Sequence, residues 1–196
     1  MRALLIRLLL AAFTLVLLAG CTDTGKVDQG RTVAFDKEKK TITIIRDASR
    51  DPAHPRYDVL PAMTFQLPAD PREMGPEPKP GLRIRLDPDK GEIVLYDPQK
   101  KNFDTIPIRI VEKHEGIKKN NPRIQNKTFP TVDQDSKIVT LYCSRHKLFV
   151  SFIPPEPYQH LTPEEWDVGD DVRIYSKEEG KALRLMNISR TDIFKK

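Results

Sequence analysis

The sequence predicts an all-β protein, two tandem small β-barrels behind an N-terminal export segment, and three observations carry that prediction. Long runs of 3.6-residue periodicity are missing beyond the first twenty residues. In their place stand short alternating runs bounded by Asp, Pro, Gly and Lys. One order of such runs, with a capped turn inside it, occurs in both halves of the chain.

The 196-residue chain opens with Met1, Arg2 and Arg7, runs apolar from Leu8 to Leu18, and reads Leu18-Ala-Gly-Cys21. A basic start, a short apolar core and a small-residue exit describe a cleaved secretory signal over residues 1–20, too short for a permanent span. Leu-Ala-Gly-Cys at that exit matches the bacterial lipobox, which predicts a lipidated Cys21 and a membrane anchor. Two or three acyl chains hold a domain stably, at ~0.8 kcal/mol per buried methylene. Thr22 stands where an aspartate marks inner-membrane retention, which favours the outer membrane, and Asp23 one place later leaves the leaflet open. Polar residues 21–29 read as a tether.

The first domain is expected over 30–112. Thr32–Phe35 and Thr41–Ile45 flank a charged turn at Asp36–Lys40, and Leu82–Leu86 and Glu92–Tyr96 flank Asp87-Pro-Asp-Lys-Gly91. Phe103 to Val111 is a further alternating run. Residues 113–127, polar and carrying Gly116 and Asn120-Asn-Pro122, read as a linker. The second domain is expected over 128–196, where Val132–Leu141 overlays Phe35–Ile44 without a gap and Gly169–Ile174 overlays Gly81–Leu86. Asp70-Pro-Arg-Glu73 and Thr162-Pro-Glu-Glu165 both read as capping-box starts of a single helical turn. Trp166, the only tryptophan, is expected to plug the second barrel.

Three meandering strands, a short helix and a hairpin opening on glycine give the order of an OB-like barrel. Arg46 after Thr41–Ile45, then Leu60-Pro-Ala-Met-Thr-Phe65, then Lys79-Pro-Gly-Leu-Arg-Ile-Arg85 resembles the periplasmic copper/silver chaperones of that barrel class. The resemblance implies a metal site on a histidine and two methionines beneath a tryptophan. Here Arg46 takes the histidine position, Leu60 the tryptophan position and Phe65 one methionine position, and Met63 alone remains. In the second half Cys143 falls at the histidine position, with Val150 and Phe152 at the methionines. Over nearly all of the mature chain the sequence also resembles a small uncharacterised bacterial lipoprotein family, a domain of unknown function found mainly in sulfate-reducing bacteria. Phe35–Ile44, Glu73–Lys79 and Lys177–Arg184 through Met186–Ser189 carry that resemblance, and it implies no activity.

Charge and chemistry narrow the function. Removing Arg2 and Arg7 from 33 basic residues leaves 31 against 28 acidic ones, a working charge of +3, which with export argues against nucleic acid. With Cys21 lipidated only Cys143 remains, so no internal disulfide and no paired-cysteine haem attachment is expected. No nucleophile with its base, paired catalytic carboxylates or phosphate-cradling glycine loop is legible, and no enzymatic activity or cofactor is expected. The expected function is a periplasm-facing lipoprotein that binds or assembles with an envelope protein or glycan. Its candidate contact is the stiff loop holding Pro68, Pro76, Pro78 and Pro80. The alternative is a soft-metal carrier with a degenerate copper/silver site drawn from Met63, His54, Cys143 and His146; one or two soft donors are few for such an ion.

Overall fold

The computed structural model describes residues 24–191 apart from 50, 52 and 53. The expected signal segment and Cys21 lie outside the described residues. The strands, in chain order, are β1 (Lys26–Asp36), β2 (Thr41–Arg46), β3 (Met63–Gln66), β4 (Arg83–Asp87), β5 (Glu92–Asp97) and β6 (Asn102–Pro107). They continue as β7 (Arg109–His114), β8 (Thr131–Val132), β9 (Val139–Cys143), β10 (Leu148–Ile153), β11 (Asp171–Glu178) and β12 (Lys181–Asn187). Apart from two 3-10 turns, Pro71–Glu73 and Glu156–Tyr158, the regular structure of the described residues is all β, as the alternation predicts. No helix among the described residues is long and apolar enough to cross a membrane.

One closed barrel forms, in the order β1-β11-β12-β3-β2. Alternation fills it: Ile42, Ile44, Phe65, Val172, Ile174, Ala182 and Leu185 point inward, with Phe35, Met63 and Leu67 packed against them. The closing pair β12–β3 is parallel, and the other barrel pairs are antiparallel. A bulge between Thr32 and Ala34 leaves Val33 out of the ladder, and with Ile45 it faces outward.

Everything from β4 to β10 is an insertion between barrel strands β3 and β11. Sheets β4-β5-β6 and β7-β10-β9-β8 bury a shared core that includes Ile93, Leu95, Ile106, Val139, Leu141, Val150 and Phe152. Trp166 is fully buried there, its ring edge-on to Phe152 at a centroid distance of 5.4 Å. The run Phe103–Val111 is two strands, because Pro107 ends β6 and the chain enters the second sheet at Arg109.

The strand pairing therefore differs from the expected division into 30–112 and 128–196. The barrel draws β1, β2 and β3 from the first of those segments and β11 and β12 from the second. Segment 113–127 is not a bare linker: Ile117 and Ile124 are buried against Phe149, and the Tyr142 hydroxyl donates to the Ile117 carbonyl at 2.9 Å. The expected tether 21–29 is shorter, since Val27 and Gln29 already pair with Tyr175 and Arg173.

The two units join at a narrow neck where the incoming and outgoing chains cross. Asp170 N–H donates to the Lys79 carbonyl at 2.8 Å, Thr32 N–H to Asp170 at 2.9 Å, and Gly81 N–H to Thr32 at 3.1 Å. A Cβ on Gly81 would collide with the Gly169 and Asp167 backbone, and one on Gly169, at φ +68, with the Thr32 carbonyl. Glycine at both crossings is thus a packing requirement.

Candidate functional site

The inserted sheet β4-β5-β6 buries one face in its own core and presents the other to the barrel. Leu82, Ile84, Tyr96 and Phe103 on that second face meet Val33, Ile45, Tyr57, Leu60 and Ala62. The contact covers only part of the sheet. Beside it lies a cleft of about 400 Å³ between loop residues 55–58 and the sheet, with Ile84, Val94 and Phe103 among its lining and Arg56, Asp58, Arg85 and Thr105 also lining it. Ligand sites favour such junctions between units, and an apolar floor inside a polar rim is the usual anatomy of a contact surface.

Three residues far apart in sequence hold the loop in place. The Tyr57 hydroxyl donates to Asp171 Oδ1 at 2.7 Å, and the Arg31 guanidinium stacks 3.9 Å from the Tyr57 ring centroid. Arg31 Nη1 donates to the Ile84 carbonyl at 3.2 Å, which ties barrel to sheet, while Arg31 Nε stands 3.6 Å from Asp171. Burial and the neighbouring Asp171 carboxylate push the Tyr57 phenol above its ordinary value of 10. No local signal in the sequence announces this group. Tyr57 sits in a polar, proline-bounded loop, and its partners come from opposite ends of the chain.

The residues singled out from sequence are dispersed. Met63 pairs with Ile44 and packs against the barrel interior, alongside Phe65, as a core residue would. His54 is exposed on its loop, with Nδ1 2.6 Å from Asp51 Oδ2. Cys143 and His146 do meet, Sγ to Nδ1 at 3.6 Å, across the turn from β9 to β10. Nearby Arg83 is half-buried and donates from Nε to the Trp166 carbonyl at 2.9 Å. Burial lowers its guanidinium to about 10, against the opposing pull of Asp167 and, more weakly, Cys143. Among the described residues no three His, Cys, Asp or Glu side chains converge as a metal-sized group.

The proline-rich loop is pinned along β12. Met74 bridges Leu185, Gly75 N–H donates to the Leu185 carbonyl at 2.8 Å, and Lys37 reaches Glu77 at 2.8 Å. Pro78 is buried, Pro68 half-buried, and Pro76 and Pro80 exposed. Both predicted capped turns form: Asp70 accepts from Arg72 N–H at 2.9 Å, and Thr162 N–H donates to Glu165 Oε2 at 2.8 Å. A second and larger groove, about 620 Å³, opens on the outer face of β1, β11 and β12.

A family model described as Domain of unknown function (DUF4881) matches residues 23–196. No curated protein and no solved structure matches the chain.

Proposed function

The chain belongs to the DUF4881 family, and from that premise we propose that it is a lipid-anchored, periplasm-facing binding module of the cell envelope that performs no catalysis. The anchor follows from the lipobox at Cys21 behind a short apolar core. The binding role is carried by one observation, the junction cleft, where the apolar face of a three-stranded sheet is left partly uncovered beside charges of both signs. A segment of another envelope protein fits that chemistry, with apolar side chains on Ile84, Val94 and Phe103 and polar ones against Arg56, Asp58 and Arg85.

Two measurements test this reading in the producing cell. Radiolabelled palmitate should enter the wild-type chain and fail to enter Cys21→Ala, and equal labelling or none in both would sink the anchor. A photoreactive residue at Thr105, on the cleft rim, should crosslink one envelope protein that the same residue at Glu179 does not reach. Adding Arg85→Glu should remove that product. Identical products at Thr105 and Glu179 would refute the cleft as the binding seat.

A further inference from the structure

We propose that the outer face of β1, β11 and β12 rests on the phospholipid bilayer, so that the barrel lies against the membrane with one fixed side down. This deepens the anchored reading and rests on it. Val27 on β1 and Leu183 on β12 are 56% and 46% exposed, two of the three large apolar side chains left exposed among the described residues. They share the 620 Å³ groove with Tyr175 and Met186, and its rim carries Arg173 and the ion pair of Arg184 with Glu73. Arg173 is held by the neutral amide of Gln29, at 2.9 Å from Nη2, and so keeps its charge for an anionic headgroup. Apolar side chains beside one uncompensated cation, with the paired Arg184 and Glu73 at the edge, match the boundary between acyl chains and headgroups.

Where the chain leaves the fold identifies the occupant. Gly25 lies directly on the Tyr175 ring, so close that a Cβ there would collide with it. The chain toward Cys21 therefore departs from the groove itself. From Lys26, the first residue of β1, to Cys21 is five residues, which at ~3.5 Å per residue reach no more than about 18 Å in any conformation. Acyl chains on Cys21 would hold this face within a barrel's width of the bilayer and exclude an orientation with it turned away.

The test uses the full lipidated protein in vesicles of phosphatidylethanolamine and phosphatidylglycerol, mixed three to one, with brominated acyl chains that quench tryptophan only on contact. Trp166 is fully buried and gives a constant internal reference. Leu183→Trp should lose roughly half of its added emission, and Val27→Trp should repeat that loss from a neighbouring strand. Thr105→Trp, in the junction cleft, should lose none. Unquenched Leu183→Trp and Val27→Trp on protein that still floats with the vesicles would overturn the proposed face while leaving the anchor standing. Equal quenching at Thr105 would also overturn it, because the protein would then tumble on its tether. Protein that does not float with the vesicles would overturn the anchored reading and the face together.

Discussion

The hydroxyl of Tyr57 ties a surface loop to a barrel strand 114 residues away. Tyr57→Phe removes that bond to a carboxylate but leaves the ring beneath Arg31. Asp171 is one-third exposed and can recruit water, so the loss should sit near the low end for a charged partner, about 1.5 kcal/mol in chemical denaturation at neutral pH. The pH dependence has a definite sign. The folded phenol ionises above its ordinary value of 10, so the stability Tyr57 contributes is full below pH 10. It is lost as pH rises beyond 10, where the unfolded chain gives up the proton and the folded chain keeps it. The wild-type advantage over Tyr57→Phe should therefore shrink steadily above pH 10. A constant difference across that range would show that Asp171 and burial do not act on this phenol in the folded state. Cys143 and His146 are a contrasting pair of residues. Their spacing of three was plain in the sequence, and the turn that joins β9 to β10 suffices to bring them together, with Lys147 at φ 51 closing it.

That turn is one of five built alike, and the recurrence explains much of what could and could not be read at the level of elements. Asp36, Asp87, Asp97 and Asp133 each accept a backbone N–H three residues on, at 2.9, 3.1, 3.1 and 3.2 Å. A residue of positive φ follows each one: Lys40, Gly91, Lys101 and Lys137. Cys143 occupies the aspartate position in the fifth. Strands and turns were legible because alternation and an Asp-to-Lys/Gly spacing are local signals. The same local grammar makes Val132–Leu141 overlay Phe35–Ile44, so that similarity need not record a duplicated domain. Gly91 has φ +63, and a Cβ there would stand 3.2 Å from the Ile108 carbonyl, so Gly91→Ala should cost about 1 kcal/mol. Lys101→Gly should change stability by less than about 0.5 kcal/mol, because relief of the left-handed conformation is offset by a more flexible unfolded chain. Equal effects of the two substitutions in urea unfolding would refute this account of the turns. Turn N–H groups also hold Asp36, Asp87 and Asp97 below their ordinary 3.8, and at Asp133 the Ser136 side chain does so ahead of the turn N–H groups. The stability they add is thus present above pH 3.8 and is lost as pH falls through the lower folded values. Asp133→Asn should flatten that acid limb in circular dichroism, whereas an unchanged limb would mean that the turn carboxyl does not contribute to it.

At the scale of the whole molecule, the pairing of β1 with β11 decides the architecture, and no local signal announces it. Alternation tells which side chains share a face; it does not tell which distant strand lies alongside, and Lys26 meets Ser176 across 150 residues. The overlay of Gly81 with Gly169 has a physical origin of its own, since both glycines stand where the two neck chains cross. Each unit is small enough that its core alone is marginal, so the neck and the shared cluster of Val33, Ile45, Tyr57 and Tyr96 should make them unfold together. Trp166 reports the inserted unit, and the amide of Ile44, deep in the closed barrel, reports the other. In the wild type both should give one urea midpoint, by tryptophan emission and by hydrogen exchange. Gly169→Ala forces a Cβ into the Thr32 carbonyl at a left-handed position and should cost at least about 2 kcal/mol. Because the strain falls on the neck and on neither core, the two midpoints should separate in this variant. Destabilisation with coincident midpoints would mean that the hydrophobic cluster alone couples the units, and separate midpoints already in the wild type would mean that nothing does.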